Sequence, residues 1–323
     1  MPFAPKPPDS PATLALGCMN FGGRTPRAEA LAVIAAAIEA GVEVLDTANV
    51  YGEGASERIV GEALRGSSAR GVRVATKVGL GRVAGRPEGL APARVRAACE
   101  ESLSRLGVDT IDLFYLHAPD ALTPPEATLE AIRGLLEAGK IRAWGVSNFA
   151  AWQILELRGL AERAGMPGPA AAQQLYNALV RQLDVEYFAF ARRFPIHTTV
   201  YNPLAGGLLA GGHRFEAPPA RGTRFDKNTL YRRRYWQRSA FEAVEAMRAV
   251  AEAEGMSLVT LAYAFALGRP GVDSVLAGPA SLPHLADALH ARTVTLSLEV
   301  LRRLDALHVE LVGTDARYAR VGA

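Results

Sequence analysis

Four polar side chains stand at the ends of short apolar runs or just past them: Asp46 and Tyr51 in VLDTANVYGEG (44–54), Lys77 in VATKV (74–78) and His117 in FYLH (114–117). An acid, a phenol, an ammonium and an imidazole are what reduction of a carbonyl asks of a protein. Hydride added to the carbonyl carbon leaves charge on oxygen, so a proton donor must stand near that oxygen in the transition state. A tyrosine can donate, but its ordinary pKa near 10 makes it a weak acid at neutral pH. A buried ammonium nearby would favour the phenolate and lower that value, the role expected of Lys77. A buried ammonium in turn needs a carboxylate, for which Asp46 is placed, and His117 could hydrogen-bond and polarise the carbonyl oxygen. Taken singly, each has a plainer reading: Asp46 as a turn cap, Lys77 as surface charge, His117 as a core histidine. A lyase or isomerase using Lys77 as a Schiff-base amine would also be served by Asp46 and Tyr51.

These residues can meet only if the strands that carry them open on one face. Short β-like runs alternate with helix-patterned segments along the whole chain. The strand candidates are 13–19, 43–48, 72–78, 111–118, 141–147, 170–176, 196–202 and 272–278, each followed by a helical pattern. Eight such units with no break in composition predict a single α/β domain over 1–323, a (β/α)8 TIM barrel. An N-terminal extension, a long irregular loop after the seventh strand (205–238) and an extra helix, SLEVLRRLDALHVEL, complete it. In such a barrel, polar residues at strand ends converge however far apart they lie in sequence.

The composition excludes several other classes. The chain has 36 Lys and Arg against 33 Asp and Glu, a formal charge of +3, and no concentrated basic patch beyond RRRYWQR (232–238); no nucleic-acid partner is expected. Cys18 and Cys99 lie far apart, without metal-ligand spacing, so neither a metal site nor a disulfide framework is read. No signal peptide and no apolar stretch long enough for a membrane span is found, and a cytoplasmic protein is expected. Gly79, Gly81 and Ala84 satisfy a relaxed dinucleotide fingerprint. The adjoining GRPEGLAP carries two prolines, however, so the region reads as a flexible loop rather than a strand-to-helix phosphate turn.

The segments DTANVYGEGASERIVGEAL, ATKVG, DLFYLHAPD, GVSNF and QQLYN together resemble the aldo/keto reductase family in order and spacing, over almost the whole chain. That resemblance implies Tyr51 as general acid with Asp46, Lys77 and His117 completing a tetrad. It further implies a nicotinamide cofactor lying across the barrel mouth, its carboxamide held by Ser147, Asn148 and Gln173 and its ring stacked on Tyr201. Asn202, Leu204 and Gly206 after the seventh strand, and Gly278, Ser281 and His284 after the eighth, match positions that contact the pyrophosphate and adenosine ribose. NADPH is the coenzyme the family implies. Gly212 stands where many relatives carry a lysine, and 278–288 lacks a Lys or Arg to pair with a 2′-phosphate, so NADH is kept as an alternative.

Several stretches, among them NFAAWQI, YNALVRQLDVE and YRRRYW, are most similar to the aflatoxin-aldehyde and succinic-semialdehyde reductase branch. That likeness suggests aldehydes or dicarbonyls as small-molecule substrates. Arginines of YRRRYWQR, or Arg317 and Arg320, are candidates to clamp a distal carboxylate, and Met19, Phe21 and Trp236 are candidate pocket walls. A redox-sensing regulatory subunit that keeps the cofactor site is the competing function, and a homodimer is one assembly the chain could form.

Overall fold

The computed structural model describes residues 3–7, 10–66 and 70–319. Eight parallel strands close a barrel: β1 (Thr13–Gly17), β2 (Val44–Asp46), β3 (Arg73–Val78), β6 (Leu113–Leu116), β7 (Trp144–Ser147), β8 (Ala171–Leu175), β9 (His197–Tyr201) and β10 (Ser274–Ala277). Each pairs with the next, and β10 returns to β1 with Thr13 opposite Ser274. Every strand candidate contains one of these strands. The segment read as a flexible loop is instead a small antiparallel hairpin, β4 (Arg82–Val83) with β5 (Arg86–Pro87). Ala84 and Gly85, both with positive φ, form its turn.

The outer layer contains α1 (Arg27–Glu39), α2 (Ala55–Leu64), α3 (Pro92–Leu106), α4 (Pro125–Glu137), α5 (Ala151–Arg163), α6 (Tyr187–Arg193), α9 (Leu258–Leu267) and α10 (Leu282–His290). Pro92 and Pro125 open α3 and α4 at a position where a missing N–H costs nothing. The loop after β9 is more structured than expected: it contains a short helix, α7 (Thr229–Tyr235), capped by Asn228, and leads into α8 (Arg238–Ala253). Helix α8 packs on α11 (Leu298–Val312), and among the described residues three α-helices, α7, α8 and α11, rather than one lie outside the eightfold pattern. Among the described residues no single helix is long and apolar enough to cross a membrane.

The main core lies between sheet and helices, and a second, smaller one fills the lower barrel with Phe3, Ala75, Leu113, Tyr115 and Ala171. The N-terminal extension closes that end. Phe3 stands edge-on to His197 at 5.9 Å, His197 Nδ1 lies 3.1 Å from the Ala4 carbonyl, and the Lys6 amide donates to Asp273 Oδ1 at 2.6 Å. Gly145 is required above them, because a Cβ there would stand 2.6 Å from the Ala171 carbonyl and 2.8 Å from the Tyr115 ring. With the floor filled, the polar strand ends face the opposite mouth.

Candidate active site

Asp46 ends β2, Lys77 lies one residue before the end of β3, and His117 directly follows β6. Lys77 is fully buried and ion-paired with Asp46 Oδ1, and its ammonium also donates to the Thr47 carbonyl at 2.7 Å. The second Asp46 oxygen accepts from Gln173 Nε2 at 2.8 Å. Two of the three ammonium protons are therefore engaged, and the buried charges are paired as burial demands.

Tyr51 is brought over this pair by a tight turn. Gly52, Glu53 and Gly54 have φ of 55°, 54° and 83°, three left-handed residues in succession, and the glycines take two of them without steric cost. The Lys77 Nζ lies 5.3 Å from the Tyr51 ring centroid, and the His117 ring meets that ring edge-on at 5.8 Å. The four predicted residues thus form one cluster.

The protonation states differ in part from the expectation. Burial, with the Asp46 carboxylate adding to it, pushes the Tyr51 phenol well above its ordinary value, against the opposing charge of Arg224. The phenol is a fully protonated donor, and Lys77 does not lower its resting pKa. Burial and the Lys77 charge hold His117 well below 6.5, so it is neutral. Its Nδ1 is buried with no hydrogen-bond partner. A buried nitrogen without a partner is better left as a lone pair than as an N–H, which favours the tautomer with the ring proton on Nε2.

The residues matched to the carboxamide form a connected rim. Ser147 is the last residue of β7, and Asn148, with φ 64°, sends Nδ2 to the His117 carbonyl at 2.9 Å and to Ser147 Oγ at 3.1 Å. Tyr201, at the end of β9, donates to Asn148 Oδ1 at 2.6 Å, and burial raises its phenol to about 12. Gln173 is committed to Asp46 and is therefore one step below the rim. Asn202 holds the next turn: its Oδ1 accepts from the Gly206 amide at 2.6 Å, and its Nδ2 donates to Tyr235 Oη at 2.7 Å. Leu204 packs partly buried against the core. Gly206 must lack a side chain, since a Cβ would lie 2.6 Å from the Tyr231 ring. Across the mouth, Gly278 follows β10, and Ser281 precedes α10 without capping it, while His284 is exposed on that helix.

The candidate substrate walls fare unevenly. Met19 lies on the mouth, 42% exposed, with its sulfur accepting from Arg224 Nη1 at 2.9 Å. Phe21 is a correction: it is completely buried in the main core, where the chain bridges it to Thr25. Trp236 is partly buried, its ring packing on His213 and Phe225 of the loop after β9 and on Phe241 of α8 at 5.4, 5.1 and 5.0 Å. Arg317 donates to the Asp184 carbonyl rather than into the mouth, and Arg320 lies outside the described residues.

The sequence reading missed Asn20, Arg24, Arg224 and Tyr231. Asn20 Nδ2 donates to the Gly278 carbonyl at 3.0 Å, and Asn20 Oδ1 accepts from Arg24 and, at 2.8 Å, from Arg224. The Arg224 guanidinium lies over the Tyr231 ring at 5.4 Å, and its charge acts on the Tyr51 phenol. Partial burial, then the neighbouring Arg224, pull Arg24 down to about 10. Among the described residues neither arginine has a carboxylate partner. The two arginines come from the loops after β1 and β9. The available signal was FGGR and GTR, glycine-flanked arginines in loops at the active end of a barrel.

A family model for the aldo/keto reductase family matches residues 13–309. The chain is 38% identical to human "Aldo-keto reductase family 7 member A3", covering 87% of this chain and 88% of that one. It is 36% identical to human "Aflatoxin B1 aldehyde reductase member 2", covering 88% and 83%. Its fold superimposes on the glycerol dehydrogenase AKR11B4 from Gluconobacter oxydans with a TM-score of 0.81, at 28% identity and 98% coverage of both chains.

Proposed function

The chain belongs to the aldo/keto reductase family, and on that premise we propose that it is an NADPH-linked reductase of small aldehydes or dicarbonyls, with Tyr51 as proton donor. The observation that carries this reading is the buried Asp46–Lys77 pair beneath a protonated Tyr51 and a neutral His117. The residues present fit a nicotinamide dinucleotide. Two guanidiniums that have no carboxylate partner among the described residues await phosphate oxygens, and the Tyr231 ring beneath one of them packs closely on Gly206. Ser147, Asn148 and Tyr201 would hold the nicotinamide end, and the bound cofactor supplies the hydride.

The chain's own residues do the rest. His117 Nε2 donates to the carbonyl oxygen and orients it. As the carbonyl carbon gains hydride, Tyr51 gives its phenolic proton to the oxygen, leaving a phenolate. The third Lys77 proton, which has no acceptor among the described hydrogen bonds, is available to that phenolate. Lys77 therefore acts on the charge that develops rather than on the resting acid. Solvent reprotonates Tyr51 through the open mouth.

The aldehyde range is proposed from likeness to the aflatoxin-aldehyde branch, and a cytoplasmic location belongs to the same reading. The test is loss of the reduced cofactor's near-ultraviolet absorbance with 4-nitrobenzaldehyde or succinic semialdehyde, offering NADPH and NADH separately, with Tyr51→Phe as control. Turnover lost in the variant supports the reading. Tight NADPH binding without turnover of any aldehyde would reject it in favour of a regulatory barrel.

A further inference from the structure

Helix α3 lies outside the barrel, yet one face of it reaches both loops that flank Tyr51. Arg94, Glu101 and Arg105 are spaced by seven and four residues and so share that face. Arg94 bonds Glu88 at 3.0 Å through Nε and Glu101 at 2.9 and 2.8 Å through its two terminal nitrogens. Glu101 also approaches Arg105 at 3.7 Å. Arg105 then turns inward, and its Nε lies 2.5 Å from Glu57 Oε2.

Glu57 is a carboxylate with no exposed surface. Its other oxygen accepts from Thr76 Oγ1 at 2.6 Å, and Thr76 immediately precedes Lys77. In the other direction Glu57 lies six residues after Tyr51, across the left-handed turn. Arg105 supports that turn directly, since a Cβ on Gly54 would lie 2.6 Å from its Cδ and 2.9 Å from its Nε. The two sides of this contact are thus the segment that carries the phenol and the strand that carries the ammonium.

We propose that the Arg105–Glu57 pair is a positioning device for the proton donor: clamped between α3, the turn after Tyr51 and Thr76 on β3, it sets where the Tyr51 phenol stands relative to Lys77. It touches neither substrate nor cofactor and acts through Tyr51. A buried ion pair is weak as a source of stability compared with apolar residues of the same volume. Its directional geometry is what an apolar pair would lack. The inference rests on Tyr51 being the proton donor.

The test compares Arg105→Met, Arg105→Lys and Glu57→Gln, each alone and with Tyr51→Phe. Misplacing the donor by about 1 Å is expected to lower kcat roughly tenfold to a hundredfold. The NADPH Kd, read by quenching of intrinsic fluorescence, stays unchanged, and the solvent isotope effect on kcat rises because proton transfer becomes slower. Arg105→Lys recovers part of kcat. In the Tyr51→Phe background the same changes cost no further residual activity, although they still lower Tm. Equal fold-losses in both backgrounds, or a lower Tm with kcat and isotope effect unchanged, would overturn the proposal and leave a purely structural pair. Full activity of Tyr51→Phe alone would overturn both this and the proposed function. Where Arg105→Met fails to fold, Glu57→Gln, nearly the same in shape, decides on the same readouts.

Discussion

Asn20 Oδ1 is shared by two guanidiniums, those of Arg24 from the loop after β1 and Arg224 from the loop after β9, with no carboxylate among the described residues to balance them. Two like charges on one neutral acceptor are held together by the fold against their repulsion, and an anion between them relieves it. The Arg224 charge reaches the Tyr51 phenol, so the pair stands toward the catalytic end of the mouth rather than at the far ribose. Arg224→Gln is therefore expected to weaken NADPH and NADH alike, each by about tenfold to a hundredfold, the worth of one charge-assisted hydrogen bond at about 1.5–3 kcal/mol. Fluorescence titration at two salt concentrations reads this. A loss confined to NADPH would place a 2′-phosphate, not the pyrophosphate, between the arginines.

The Asp46–Lys77 pair separates stability from catalysis. Lys77→Met leaves Asp46 buried with only Gln173 as donor, and is expected to cost about 3–5 kcal/mol on urea unfolding as well as all measurable turnover. Adding Asp46→Asn removes the orphaned charge. The double variant should regain most of the lost stability while turnover stays absent. Turnover returning with stability would show that the lysine's charge has no part in the reaction.

How much of this was legible in the sequence depends on the physical origin of each signal. The barrel was readable because parallel strands covered on both faces are apolar runs of fixed length between helical patterns, and Asp46, Lys77 and His117 were readable because strand ends share one face. Phe21 was misread as a wall for the opposite reason. Whether an aromatic in a loop faces the mouth or the interior depends on where the loop turns, and Phe21 is buried where the chain bridges it to Thr25. Arg24 and Arg224 were invisible as a pair because only the closed fold brings the loops after β1 and β9 onto Asn20. The protonated state of Tyr51 was likewise set by burial, which no motif encodes.

His117 makes the protein sensitive to acid. Its folded pKa lies well below the unfolded 6.5, so below pH 6.5 the unfolded chain binds a proton that the folded one refuses. Its contribution to stability is full above pH 6.5 and is lost progressively as pH falls below that value, until the folded ring itself titrates. Buried His197 shifts in the same direction. His117→Gln should flatten part of this fall in a Tm series from pH 7 to 5, and wild-type kcat should stay level over the neutral range. An unchanged slope would mean that His117 titrates alike in the folded and unfolded protein.

Glu88 should govern the hairpin beside the mouth. Its Oε2 accepts from the amides of Gly79 at 2.8 Å and Gly81 at 3.1 Å, and its Oε1 accepts from Asn49 Nδ2 at 2.7 Å and Arg94 Nε at 3.0 Å. Four donors converge on one nearly buried carboxylate. Glu88→Gln replaces one oxygen with an amide that cannot accept, leaving two donors unmet at a cost of about 1–3 kcal/mol each way the side chain turns. That is enough to open a surface hairpin without unfolding the barrel. Both hairpin arginines are exposed, but Arg86 precedes Pro87, a bond trypsin cuts poorly, so the sensitive bond is Arg82–Val83. Limited trypsin digestion and then mass measurement should show that bond cut markedly faster in the variant, with the barrel fragments still associated. Equal cutting rates would mean that the β4–β5 pairing holds the hairpin by itself.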